Sequence, residues 1–191
     1  QKRIREQKIR RYTFFTVLAL IAVLSVMFFT PIFNIKTINV TGNSKLSTEQ
    51  ITAQIDYVSG KNLFRTGKRG IRKKLSELAY VENVIIKKRP FPPSLTVQIE
   101  ECKPICQLAY ADAFIVIDRN GKILEKAPEK QEGIPVLEGT SIVSANEGEQ
   151  IAFKDADTQK IIISCIGYME KADIIKDITT MSFEDMTNIT F

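Results

Sequence analysis

Histidine is absent from all 191 residues. Its absence removes Ser-His-Asp and Cys-His catalysis and the commonest metal ligand. Cysteine is scarce and odd in number, with Cys102, Cys106 and Cys165 only. An odd set of three builds no disulfide framework. Cys102 and Cys106 fall four apart on the same side of what reads as a continuing strand, too far for easy bridging. All three read as small apolar fillers. There is no Cys-x-x-Cys and no glycine-rich phosphate loop. Glu100 and Glu101 are neighbours on an expected strand, so they point to opposite faces and cannot act as a pair. Glu184 and Asp185 fail in the same way. No catalytic, metal or cofactor-binding constellation assembles, and an enzyme is not expected.

Charge, glycine and proline are missing together from one long run, Phe14 to Phe29, whose only polar side chains are Thr16 and Ser25. At 1.5 Å per residue, about 20 apolar residues span the roughly 30 Å core of a bilayer. Tyr12 to Ile32 therefore reads as a transmembrane helix, with residues 1–11 as a basic tail. Lys2, Arg3, Arg5, Lys8, Arg10 and Arg11 precede the span, opposed only by Glu6, and the first charge after it is Lys36. Short Lys/Arg-rich flanks stay in the cytoplasm, so everything from Ile32 onward is expected outside. A cleaved signal peptide would have a shorter apolar core and a small-x-small cleavage site. The run ends Met27-Phe28-Phe29-Thr30-Pro31 without one.

The net charge of +5 is carried by residues 1–11 alone. Beyond them the signs balance but separate. Residues 61–89 hold ten basic side chains against Glu77 and Glu82, a net of +8. Residues 90–191 hold nine basic against seventeen acidic, a net of −8. Two extracytoplasmic modules are expected. The chain begins at Gln1 rather than Met, and Asn188 to Phe191 alternate like a strand in progress. Both features lead us to expect a longer protein.

Phe33 to Val40 reads as a short strand with an irregularity near Thr37. Thr41-Gly42-Asn43 is a turn. Ser47 opens a helix, with Gln50 completing a capping box. Ile51, Ile55 and Val58 form its apolar face and Gly60 ends it. A second helix is expected from Thr66 to Leu78, with Ile71, Leu75 and Leu78 as its buried stripe. Val81 to Lys87 and Leu95 to Ile99 alternate as strands around the rigid turn Pro90-Phe91-Pro92-Pro93. Further on, Ile105–Tyr110 and Phe114–Ile117 are short strands. Asp118-Arg119-Asn120-Gly121 closes a hairpin onto Ile123 and Leu124, since Asn-Gly accepts the positive φ of a tight turn. The same tetrapeptide matches the start of a calcium loop but lacks the acidic series and terminal Glu. Ile134 to Gly139 is a turn and strand. Thr158 to Lys171 reads as a helix, with Ile161, Ile162, Cys165, Ile166 and Met169 inward. Ile174–Ile178, Met181–Phe183 and Ile189–Phe191 look like the start of a sheet. The fold class is α+β.

The order strand, helix, helix, strand, strand resembles the POTRA domain in the form found in the bacterial FtsQ/DivIB cell-division family. The matching residues are Ile35, Ile38, Val40, Gly42 and Asn43, then Gly60, Asn62, Leu63 and Phe64. Val81, Val84, Ile86, Pro90 through Leu95, and Glu100-Glu101 with Pro104 complete the set. The resemblance covers residues 33 to about 106. The family usually places an arginine after the last strand's glutamate, where this chain has Cys102. The resemblance implies a POTRA domain over residues 33–104 and a mixed, mainly antiparallel β domain with a helix over 105–191, C-terminally truncated. It implies a bitopic divisome scaffold at the septum of the cell membrane that binds FtsB/DivIC-like and FtsL-like proteins and the septal peptidoglycan synthase. It also implies that the FtsB/DivIC partner adds a strand at the far end of the β domain, beyond Phe191. An alternative class is a POTRA-bearing protein-transport or outer-membrane assembly factor. Those proteins carry repeated units and a barrel, whereas one unit is legible here.

The candidate contact surface is basic. Arg65, Lys68, Arg69, Arg72, Lys73 and Lys74 surround the apolar stripe of the second helix. Three readings stand side by side: an ordinary solvated face, a surface against anionic membrane lipids just past Ile32, or a contact for an acidic partner. Nucleic acid is not expected outside the cell, and no aromatic residues interleave these charges. No cofactor and no small-molecule substrate is expected.

Overall fold

The structure is a computed structural model and describes residues 2–172 and 174–183. Helix α1 runs over Lys2–Phe29, about 42 Å at 1.5 Å per residue. Its stretch Lys8–Phe29 is long and apolar enough to cross a membrane, and none of it is buried. Val17, Leu18, Leu20 and Ile21 are all exposed, which fits a helix whose apolar sides face lipid. The helix stops three residues before the expected Ile32. Pro31 disfavours the α conformation at the residue before it, and Thr30 is extended at φ −85, ψ 144.

The chain separates into two compact units. One holds residues 1–43, 47–75 and 84–99, and the other holds 44–46, 76–83 and 100–191.

In the first unit, α1 leads through a 3-10 turn at Pro31–Phe33 to β1, Thr37–Thr41. The expected strand from Phe33 is therefore shortened at its start. Phe33 and Ile35 are buried as their pattern required, but their backbones pair with 60–63 instead of a sheet. Ile35 N donates to Lys61 O, Gly60 N to Ile35 O and Leu63 N to Phe33 O. Helix α2, Thr48–Ile55, starts with the expected capping box, and a 3-10 turn, Asp56–Val58, follows it. Helix α3 spans Lys68–Ser76, shorter than the expected 66–78. Thr66 instead closes a turn, its N and Oγ1 both donating to Asn62 O, while Leu78 lies past the helix end.

Strands β2, Val81–Pro90, and β3, Pro93–Glu101, join β1 in a sheet of order β1-β3-β2, with β1 parallel to β3. This is the β-α-α-β-β order of the sequence reading. Ile51, Ile55, Ile71, Leu75, Leu95 and Val97 are all at 0 % exposure. Each is worth about 1.5–3 kcal/mol of burial. Gly42 has φ +84, and a Cβ there would stand 2.2 Å from Ile99 O. Glycine is therefore required where the chain leaves β1 against β3.

The second unit is built on a five-stranded mixed sheet of order β10-β7-β4-β5-β6. Its strands are β4, Cys106–Tyr110; β5, Ala113–Ile117; β6, Ile123–Ala127; β7, Val136–Glu138; and β10, Thr180–Ser182. β4-β5 and β5-β6 are antiparallel, while β4-β7 and β7-β10 are parallel. A two-stranded ribbon, β8 (Ile142–Ser144) with β9 (Ala152–Phe153), stands apart from it. Its strands are too short to show a period. Helix α4, Ala156–Lys171, is capped by Asp155, which accepts from Thr158 N. Ile162, Ile166 and Met169 pack into the core, but Ile161 is 41 % exposed. The expectation that it faces inward is corrected, because the i, i+4, i+7 stripe already fills the contact face. Ile174–Ile178 forms no strand. Residues Ile175–Asp177 make a 3-10 turn, and strand character begins at Thr180. The expected strand at 189–191 and the pair at 184–185 lie outside the described residues.

Candidate membrane and partner-contact surface

Helix α3 carries most of the basic side chains for a simple reason. Its two core positions, Ile71 and Leu75, are four apart, so they take one narrow stripe. Lys68, Arg69, Arg72, Lys73 and Lys74 fill five of the seven remaining positions, Gly70 and Ser76 the other two, and all five cations are exposed. At 100° per residue, Lys73 points almost directly away from that stripe, with Arg69 and Lys74 to either side. Lys73 and Lys74 also sit in the last turn, where cations meet the negative end of the helix dipole.

The six candidates do not form one equivalent patch. Arg72 is engaged, its Nε donating to Val84 O at 3.3 Å. Arg65 lies outside α3, in the turn before it, with its guanidinium 5.8 Å from the ring centroid of Phe29. It therefore belongs with the end of α1, while Lys68 to Lys74 belong to the face of α3. Lys88, which sequence reasoning did not single out, donates from Nζ to Thr66 O. Burial, then the charge of Lys68, pushes its pKa below the ordinary amine value.

The segment after α2 decides how the apolar helix meets the POTRA-like sheet. Asn62 Nδ2 donates to Met27 O at 3.0 Å and to Thr30 O at 3.3 Å, satisfying carbonyls that the helix end leaves open. Its Oδ1 accepts from Phe64 N at 2.9 Å. Phe64 stacks edge-on to Phe33 at 5.2 Å and lies 6.1 Å from Phe28. Phe91, at the β2–β3 turn, also meets Phe33 edge-on, at 5.4 Å. Lys61 Nζ stands 5.2 Å from the Tyr57 ring. The Gly-x-Asn-Leu-Phe motif was visible in the sequence. Its role as the fastening of α1 was not, because the partners are some 30 residues away.

Glu100 and Glu101 point apart, as expected. Glu100 accepts from Asn83 Nδ2. Glu101 accepts from the backbone N–H groups of Ser44, Lys45 and Leu46 at 2.9–3.0 Å. Burial acts to raise the Glu101 pKa, but those three donors and the Lys45 charge outweigh it and hold the carboxyl below its usual range. Its job is that of an anchor for the 44–46 segment.

The three cysteines are free, and one expectation about them is corrected. The strand does not continue from Cys102 to Cys106. It ends at Glu101, Pro104 intervenes, and β4 starts at Cys106. Cys102 packs with Tyr80 and Leu124, while Cys106 joins the main core of the second unit. Burial pushes the Cys102 thiol up to about 11 and the Cys106 thiol up to about 12. Among the described residues no group of three or more Cys, Asp or Glu is placed to hold a metal ion.

Comparison with known proteins bears on the same segments. The family description "POTRA domain, FtsQ-type" matches residues 33–101. The chain is 32% identical over 133 residues to the Corynebacterium glutamicum protein named cell division protein FtsQ, covering 69% of this chain and 57% of that one. It is 32% identical over 142 residues to the Bacillus subtilis cell division protein DivIB, covering 71% and 52%. It is 29% identical over 133 residues to DivIB of Clostridium botulinum, covering 69% and 52%. The chain thus spans about half the length of these relatives.

Proposed function

We propose that the chain is a member of the FtsQ/DivIB family of cell division proteins, as its POTRA domain of FtsQ type and its similarity to these relatives support, and that it acts there as a single-pass membrane scaffold without enzymatic activity. Residues 1–11 lie in the cytoplasm, 12–32 span the membrane, and 33–104 and 105–191 are the extracytoplasmic POTRA and β domains. The scaffold works at the division septum. It holds FtsB/DivIC-like and FtsL-like proteins, and through them the septal peptidoglycan synthase, in register. The observation that carries this reading is the capping of an unburied, membrane-length helix by Asn62 of the POTRA motif. A folded module fixed to a membrane anchor at such short range suits a scaffold. Lys8, Arg10 and Arg11, which flank the apolar run on its N-terminal side, support an N-terminus in the cytoplasm.

Backbone edges offer the mode of assembly. The outer edge of β6 is occupied at its start, where Ile123 N donates to Glu149 O and Gly148 N donates to Ile123 O. β10, among the described strands, has a neighbour on one side only. Strand addition on the β10 side would draw its affinity from main-chain hydrogen bonds. The basic face of α3 would act separately, on an acidic partner.

A reporter active only outside the cytoplasm, fused after Phe191, is expected to be active while membrane-bound and concentrated at mid-cell. Release of a soluble fragment beginning near Pro31 would sink the anchor. Changing Lys73 and Lys74 to Glu is expected to leave stability within about 0.5 kcal/mol, as for most surface changes, while weakening co-purification of the division partners. Unchanged co-purification would remove the α3 face from the partner surface.

A further inference from the structure

Where α1 ends, the first unit forms a cleft of about 740 Å³. Phe29, Thr30, Tyr57, Lys61, Asn62 and Arg65 are among the residues that line it. The lining includes two cations, Lys61 and Arg65, and no carboxylate. Among the described residues neither cation pairs with an acid. Each is instead held over an aromatic ring, Lys61 on Tyr57 and Arg65 on Phe29. An aromatic face orients a cation without neutralising it.

A second, smaller groove of about 290 Å³ runs down α1 from the same place, lined by Ile21, Leu24, Ser25, Phe28, Phe29 and Arg65. Arg65, Phe28 and Phe29 belong to both. A cationic cleft therefore opens directly onto an apolar furrow in the last turns of the span. Phe29 and Ile32 are 77 % and 62 % exposed there, as suits side chains resting in the interfacial layer.

We propose that this cleft and furrow together bind one anionic phospholipid. Lys61 and Arg65 hold its phosphate, the guanidinium fork matching two phosphate oxygens. An acyl chain lies in the furrow against Ile21, Leu24 and Phe28. An arginine that merely snorkels at an interface needs no shaped cavity. Here the charged cleft and the apolar furrow share a wall, which is the layout of a lipid headgroup and its tail. The proposal rests on α1 spanning a bilayer and on neither the septal role nor the orientation.

The test places the whole chain in nanodiscs of phosphatidylcholine with phosphatidylglycerol as the minor lipid. Lipids that stay bound are then counted by native mass spectrometry. The wild type is expected to retain phosphatidylglycerol over the net-neutral phosphatidylcholine. Lys61→Ala with Arg65→Ala is expected to lower that enrichment roughly thirtyfold, the scale of two basic residues at about 1 kcal/mol each near an anionic surface. Gly67 also lines the cleft, and a Cβ there meets no atom within 4 Å. Gly67→Phe, which keeps both charges, should likewise displace the lipid by filling the cleft. Lys73→Ala with Lys74→Ala, on the outward face of α3, should leave the enrichment unchanged. Equal enrichment in the wild type and both cleft variants would overturn the site, as would a matching loss in the α3 variant. Failure of the wild type to enter the nanodisc would defeat the anchor itself, whereas entry without lipid preference would defeat the lipid site alone.

Discussion

One carboxylate illustrates how a residue's role differs from its sequence label. Glu101 stands beside Glu100 and invites comparison with a catalytic pair, yet three backbone N–H groups surround it. Its folded pKa lies below the ordinary value of 4.5. A depressed carboxylate pKa stabilises the fold above the unfolded value, and that stabilisation is lost as pH falls through the folded value. Glu101→Gln is therefore expected to destabilise the protein at neutral pH, by on the order of 2 kcal/mol for hydrogen bonds to a charged acceptor. The difference from wild type should shrink as the pH drops below the folded pKa. Denaturant melts across an acid series would check it, and a gap that is independent of pH would contradict the assignment. That both glutamates sit at the end of a strand was legible from alternation. The nest of donors around one of them was not, since Ser44 to Leu46 lie more than 50 residues earlier.

At the scale of elements, the periodic pieces were readable and the irregular ones were not. α2 announced itself through Ser47 and Gln50, and the β5–β6 hairpin through Asp118-Arg119-Asn120-Gly121, with Gly121 at φ +78. Asp118 Oδ1 accepts from Asn120 N and Lys122 N at 2.8 Å, which explains why an aspartate opens the turn. β8 and β9 were missed, and so was the fully buried Gln107. Its Nε2 donates to Gln131 O and Ile134 O, and its Oε1 accepts from Gln131 N. This side chain hooks the 131–134 segment to β4, next to β7. Gln107→Leu should strip three backbone groups of their partner and cost about 2–4 kcal/mol. Hydrogen exchange at the Gln131 amide should rise most. A variant with wild-type stability would show that water or repacking replaces the hook.

For the whole molecule, the absence of histidine bears on activity as well as structure. The chain in detergent is expected to release no fragments from purified peptidoglycan, and Glu100→Gln and Glu101→Gln should change folding or binding only. Turnover that vanishes with either substitution would refute a non-enzymatic scaffold. The charge division, +8 over 61–89 and −8 over 90–191, follows the modules loosely. The basic part collects in the α3 region of the first unit, while residues 76–83 group with the acidic second unit.

By itself, the sequence determined the membrane-length apolar helix, the order of the POTRA elements and the basic face of α3. Each is encoded locally: by an uninterrupted apolar run, by periods of 2 and 3.6, and by cap and turn residues within a few positions of one another. Tertiary structure alone decided that β7 and β10 run parallel in one sheet and that Asn62 caps α1. It also decided that Arg65 parts from the other basic residues to stand over Phe29. These outcomes depend on where the chain returns after tens of residues. That return is set by how buried faces pack and by which open backbone groups must find partners, and neither leaves a local period to read.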